Sequence, residues 1–318
     1  MREPSPAVAL GTRWLRVVHE TCYDYGAPVE LAHHLAHLTP RTTDTQQVHD
    51  VALDITPPPD NGSMWHSDDP FGNRRTVFTH SQVHDRLLVR ATFLAALQPA
   101  PLLQPAQSPP WEAVAAQLRY RAGTPCEPAV EFMLASSYAG HEPSLAAFAR
   151  QDFLPDRPML EGAIALRKRI FTEFEYRPAS TSVATRAVES LGKRMGVCQD
   201  FAHVMIGALR SIGLAARYVS GYLLTQPPPG QERLIGADAS HAWVMVWCPL
   251  HGWVALDPTN DVVVGPDHVT LAWGRDYSDV APLRGVIRGG ARAVPQVAVT
   301  VEEWTPAQAG AAAADKER

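Results

Sequence analysis

From Cys198 onward, apolar residues recur at spacings of three and four: Phe201, Met205, Ala208, Leu209 and Ile212. That spacing lays them along one stripe of a helix. Gly213 follows the stripe, where a left-handed stop suits glycine. Gly196 and Val197 lead in, so Cys198 falls in the first turn of a helix buried along one face. The period then changes to two. Tyr218 to Leu224 reads as a strand, broken by a Pro227-Pro228-Pro229-Gly230 loop. His241 to Trp247 alternates, with His241, Trp243, Met245 and Trp247 on one side and Ala242, Val244 and Val246 on the other. Pro249 to Gly252 reads as a hairpin connection and Trp253 to Leu256 as a short return strand. Asp257 ends it ahead of Pro258, which keeps Asp257 out of the helical region.

The first third of the chain is built from short alternating runs punctuated by turn residues. Thr12 to Cys22 reads as a strand, Tyr23 to Pro28 as a turn region, and Ala32 to Leu38 as a strand or short helix. Val48 to Ile55 alternates, and Pro57 to Gly62 stops it. Asp69 to Asn73 is a turn, Arg75 to Phe78 a strand, and Leu87 to Leu97 the longest apolar strand. Together these predict a β-sandwich-like, β-rich domain over residues 12–100. Pro99 to Pro110 reads as a linker. Helices are expected over Trp111–Tyr120, Pro128–Tyr138, Ser144–Phe153, Leu160–Phe171 and Thr185–Leu191. A second domain is predicted over residues 111–304, with a last strand at Gln296 to Glu303. Residues 305–318, alanine-rich and charged but without an apolar stripe, read as a disordered tail.

Composition narrows the function classes. The 318 residues are 46% apolar, enough for two cores. The 28 basic and 33 acidic residues leave a formal charge of −5, which argues against a general nucleic-acid binder. No signal peptide and no long apolar run is evident, so no membrane contact is expected. The four cysteines form no CxxC pair. A reducing cytoplasm is therefore expected, where a thiol nucleophile persists. Cys22, Cys126 and Cys248 read as small apolar residues.

Cys198, His241 and Asp257 each stand at the edge of an element. A helix start offers unpaired amides and the positive dipole end, which favour a thiolate and accept an oxyanion. An imidazole takes the thiol proton and later delivers it to a leaving amine. A carboxylate fixes the tautomer of that imidazole. Antiparallel pairing would set His241 and Asp257 on adjacent strands.

The words GVCQDFAH, ALRSIGLAARYVSGYL, DASHAWVMV, GWVALDPTND and LAWGRDYSDVAPLRGV resemble the transglutaminase-like superfamily of the papain-like fold group. The likeness is greatest to its bacterial branch of predicted cysteine proteases with an N-terminal β-rich domain. It runs from Val17 to about Val301. The resemblance implies an α+β core, a helical half against an antiparallel sheet. It implies Cys198 as nucleophile, His241 as base and Asp257 as the orienting group. It implies acyl transfer on an amide through a thioester, with hydrolysis of a peptide or protein ahead of transamidation of glutamine to a primary amine acceptor. No cofactor is expected. The opposing class is a non-catalytic peptide-binding or scaffold module, and the presence of all three residues argues against it.

Neighbouring residues have plainer readings beside functional ones. His203 lies five residues beyond Cys198, about 500° around the helix, and so faces away as a core or second-layer residue. Asp200 and Gln199 suit a helix cap or the cleft entrance. Trp243 and Trp253 are either cleft walls or core. Asp276 and Tyr277, in a segment resembling one that folds back beside the site, are expected to line the cleft. His33, His34 and His37 lie close in sequence, but His33 and His37 share a face only on a helix, and no third strong ligand is near. No functional metal is expected.

Overall fold

The computed structural model describes residues 11–123, 125–225, 240–291 and 293–305. The lead-in before Gly11, the Pro227–Gly230 loop and the tail from residue 306 lie outside the described residues.

The N-terminal sheet is built on β1 (Arg13–Ala36), with β2 (Gln46–Thr56), β3 (Trp65–Asp68), β4 (Arg74–His80) and β5 (His84–Leu97). Strict alternation buries Leu15, Val17, His19 and Thr21 on one face of β1. The expected turn at Tyr23–Pro28 is a correction. Gly26 adopts φ +62°, and the ladder to β5 shifts register between Asp24 and Val29. The turn residues are taken up as a bulge, and the strand runs on for 24 residues. Its first half pairs with β5 and its second half with β4. Residues 32–36 are thus strand, so His33 and His34 point to opposite faces. His33 is exposed and its Nδ1 meets Thr79 Oγ1 at 2.9 Å, whereas His34 is buried against the Phe78 ring. The helical face that would join His33 to His37 does not form.

The helical half follows: α1 (Trp111–Gln117), α2 (Pro143–Ala149), α3 (Met159–Glu173), a two-residue β6 (Glu175–Tyr176), α4 (Ala187–Lys193), β7 (Met195–Gly196) and α5 (Cys198–Ser211). The helix expected over Pro128–Tyr138 is only a 3-10 turn, Pro128–Met133. From Asp200 to Arg210 every residue of α5 is buried, not one stripe alone. Ala202, Gly207 and Ala208 are small enough to let α2, α4 and the second sheet approach from several sides. An added Cβ at Gly207 would stand 2.9 Å from Leu145.

The second sheet is antiparallel: β8 (Ala216–Leu223), β9 (Ser240–Cys248), β10 (Gly252–Asp257), β11 (Val262–Val263) and β12 (His268–Gly274), in the order β11-β10-β9-β8-β12. A short α6 (Tyr277–Val280) leads to β13 (Leu283–Gly289) and β14 (Gln296–Glu303). These last two strands pair not with the second sheet but with β1, β13 along its second half and β14 along its first. The division at 111–304 is corrected accordingly, because the chain returns to complete its first sheet.

Two side-chain amides fasten the halves together at β12. Gln46 donates to the Thr270 carbonyl at 2.7 Å and accepts the Thr270 amide at 2.8 Å. Asn73 does the same at Trp273, with distances of 2.7 and 3.0 Å. Each amide stands in for a residue of a neighbouring strand, so buried backbone groups of β12 remain paired. Gly221 permits a close approach inside the second sheet. A Cβ there would collide with the Val269 carbonyl oxygen and the Trp243 ring. Gly221→Ala is expected to cost about 1–3 kcal/mol by overpacking, read as a lower urea midpoint at unchanged m-value.

Candidate active site

The start of α5 is set by a carboxylate. Asp200 Oδ2 accepts the Val197 amide at 2.8 Å and the Thr181 hydroxyl at 2.6 Å, while Oδ1 accepts Ser190 Oγ at 3.1 Å. This buried third-position cap fixes Cys198 as the first helical residue, with the unpaired amides of the first turn around it. Gly196 makes room, since a Cβ there would lie 2.6 Å from Asp200 Oδ2. Gln199 Nε2 donates to the Val183 carbonyl at 3.0 Å and holds the adjoining loop at the cleft rim.

His241 opens β9 and Asp257 ends β10. Leu256 pairs with Val244, so Asp257 falls across from Trp243, diagonal to His241 on one face. His241 Nε2 and Asp257 Oδ2 are 2.7 Å apart. With Nε2 turned to Asp257, Nδ1 is the ring nitrogen available to Cys198. Burial opposes a charge on this ring. Hydrogen bonds to Asp257 and Cys198 outweigh it and push the His241 pKa up to about 10. Burial likewise opposes the charge on Asp257, but hydrogen bonds from His241, His268 and Asn260 hold its carboxyl well below the usual range. Oδ2 also receives Asn260 Nδ2 at 2.7 Å, and Oδ1 receives the amides of Thr259 at 2.8 Å and Asn260 at 3.2 Å.

Cys198 and His241 line a cleft of about 330 Å³, and Asp257 is buried behind His241. Cys198, Gln199, Tyr176 and Val183 line it from the helical half, and Tyr218, Ser220 and His241 from the second sheet. His19, Thr21, Tyr23 and Val297 of the first sheet, with Pro295 just ahead of β14, supply another wall. Among the described residues lining the cleft there is no Asp, Glu, Lys or Arg. Burial and the nearby Cys198 charge raise the Tyr176 and Tyr218 hydroxyls above their ordinary pKa, so both remain donors at neutral pH.

Residues 147–258 match the model of the transglutaminase-like superfamily, and residues 15–96 that of the bacterial transglutaminase-like N-terminal region. An uncharacterized protein of Mycobacterium tuberculosis is 40% identical over 284 residues, covering 87% of this chain and 88% of its own. The chain belongs to the transglutaminase-like superfamily. A Pseudomonas aeruginosa protein-glutamine gamma-glutamyltransferase is 36% identical over 97 residues, 28% of this chain and 14% of its own length. Among solved structures, a candidate cysteine protease from Cytophaga hutchinsonii superposes with a TM-score of 0.74 at 19% identity, covering 93% of this chain and 92% of that one. It shares the fold.

Within this transglutaminase-like frame, several neighbours of the site differ from expectation. Asp276 does not line the cleft. It is fully buried, and its carboxylate is occupied by the Ser278 amide and hydroxyl and by the Tyr138 amide. Tyr277 does line it. Trp243 is buried beside His241, with its ring 5.3 Å from that of His268, and Trp253 stacks under the Arg217 guanidinium on another surface. Neither walls the cleft. His203 is wholly buried, stacked on Tyr138, and accepts the Tyr277 amide at 3.2 Å. Burial lowers its pKa to about 4, so it is a neutral packing residue behind the cleft.

Two residues near the site carried no clear sequence signal. His268, 3.2 Å from Asp257 Oδ2, reaches it only because β12 pairs with β8. Tyr176 reaches the cleft through the two-residue parallel pairing of β6 with β7. Among the described residues, His241, Asp257 and His268 are the only group whose ligand atoms lie within 4.8 Å of one another. Asp257 Oδ2 already has three N–H partners, so a cation would have to displace the hydrogen bonds that orient His241.

Proposed function

We propose that the chain is a thiol-dependent acyl-transfer enzyme acting on an amide, with Cys198 as nucleophile, His241 as acid and base, and Asp257 as the orienting carboxylate. The contact of His241 with both Asp257 and Cys198 at the head of α5 carries this reading. Cys198 gives its proton to His241 Nδ1, and Sγ attacks the amide carbonyl. The Cys198 amide and the Tyr176 hydroxyl stabilise the oxyanion. The C–N bond breaks as His241 returns the proton to the leaving amine or ammonia, leaving a thioester. Water then gives a proton to His241 and attacks the thioester. The acid departs and the thiol is restored.

Hydrolysis is favoured over transamidation because the cleft walls carry hydroxyls of Thr21, Ser220 and Ser240, which give water partners beside the thioester. The segment similar to the Pseudomonas gamma-glutamyltransferase supports transamidation as the second reading. Incubation with peptide pools, with and without a primary amine, followed by intact mass, tests both. A thioester adduct on Cys198 resolving to a free acid supports hydrolysis, and one resolving only to an amine conjugate supports transamidation. No adduct from any pool, with Cys198 alkylated no faster than Cys22 or Cys126, counts against the enzyme reading.

The uncharged lining leads to a prediction about substrates. Burying an unpaired charge among Tyr23, Tyr277, Leu283 and Val297 is costly. Peptides with an apolar or aromatic residue beside the reacting amide are expected to acylate Cys198 roughly tenfold to a hundredfold faster than those with Asp or Lys there. Competing peptides in one mixture, quantified by adduct mass, measure that ratio.

A further inference from the structure

A second cavity, about 160 Å³ in volume, lies where β10 and β12 meet the start of β2 and the end of β5. Leu97, Pro101, Leu103, Met245, Trp253 and Val264 give it an apolar lining. No Asp, Glu, Lys or Arg is among its described lining residues. It shares no lining residue with the cleft. His268 and His251 also border it, and His268 Nδ1 and His251 Nε2 are buried without a hydrogen-bond partner. The other nitrogen of His268, Nε2, is the one that meets Asp257 Oδ2. The side-chain amide of Gln46, which also lines the cavity, is already engaged by Thr270 and by the Arg41 carbonyl.

These features define a ligand. A volume near 150 Å³ accepts one benzene-sized ring and is too small for a folded peptide segment. The absence of charged lining disfavours an ion. An orphaned ring nitrogen is answered by a hydroxyl, which donates to a lone pair or accepts from an N–H as the tautomer requires. We propose that this cavity binds a small neutral aromatic alcohol, its ring against Leu97, Leu103 and Trp253 and its hydroxyl on His268 Nδ1. Asp257 binds His268 and His241 through the same oxygen, Oδ2. An occupant of the cavity therefore pulls on the far side of the orienting carboxylate. This coupling rests on the proposed triad; the binding does not.

Fluorine NMR with 4-fluorophenol and fluorobenzene on the full chain tests the site. The phenol is expected to bind saturably and roughly tenfold more tightly than fluorobenzene. His268→Phe should bring it to the level of fluorobenzene. Ala100→Trp, at an exposed position on the cavity edge, should abolish binding of both and keeps the test decisive where His268→Phe impairs folding. Cys198→Ala should leave binding unchanged. Equal affinity for the two probes, binding that survives Ala100→Trp, or binding lost in Cys198→Ala overturns the site. Alkylation of Cys198 by iodoacetamide reads the coupling. A rate altered by saturating phenol in the wild type but not in Ala100→Trp supports it, and an unaltered rate overturns it. A Cys198 rate indifferent to His241→Ala sinks the triad reading instead, with the binding result standing apart.

Discussion

Alanine at Cys198 is expected to abolish the covalent adduct and to lower amide turnover by about four to six orders of magnitude. The side chain is only partly buried and makes no cap contact, since Asp200 performs the capping of α5. Truncation to alanine should therefore cost no more than about 1 kcal/mol of stability, so lost activity will not be lost fold. On the proposed mechanism, what remains is the oxyanion environment without a nucleophile. Cys22→Ala and Cys126→Ala are the controls, because neither side chain lines the cleft. Cys248 is a poorer control, being buried in β9 next to the core. Turnover measured beside thermal unfolding separates the effects. Near wild-type turnover in Cys198→Ala would exclude the thioester route.

Much of this site is legible in short-range pattern. Three-and-four spacing from Phe201 to Ile212 marks α5, and Gly213, at φ +90°, marks its end. Period-two alternation marks β9, and Pro258 marks the end of β10. Each depends on residues close in sequence, where side-chain period reports directly on backbone geometry. What is illegible depends on pairing at long range. Nothing near His268 indicates that β12 lies beside β8, or that Gln46 and Asn73 hold its other edge. The return of β13 and β14 to β1 is hidden for the same reason. The unbroken β1 is hidden differently. Its Gly26-Ala27-Pro28 segment has turn composition, and only the partner strand decides that the ladder absorbs it as a bulge. The carboxylate of Asp276 looks available in sequence, yet the amide of Tyr138 consumes it from 138 residues away.

The contrast in Asp257 is sharper, because asparagine has nearly the same shape and still cannot replace it. Oδ1 accepts two backbone amides, from Thr259 and Asn260. Oδ2 accepts side-chain donors from Asn260 and, in the ionised site, from His241 and His268. An amide placed either way turns an NH2 group toward donors. One orientation orphans the two backbone amides, and the other repels His241. Asp257→Asn is therefore expected to lose about 2–4 kcal/mol of stability and about three to four orders of magnitude in turnover. The stability loss should depend on pH in a defined way. The carboxyl of Asp257 is depressed in the folded state, so its contribution is present above the ordinary value of 3.8 and is lost as pH falls below it. His241 is raised to about 10, so its charge contributes fully below 6.5 and is lost as pH rises toward about 10. Both contributions belong to one contact. The gap between wild type and Asp257→Asn should be widest from about pH 4 to 6.5 and should narrow on either side. Urea unfolding of both proteins across that range measures it. A gap independent of pH would mean that Asp257 contributes shape and hydrogen bonds alone, and that the charge on His241 is held by something else.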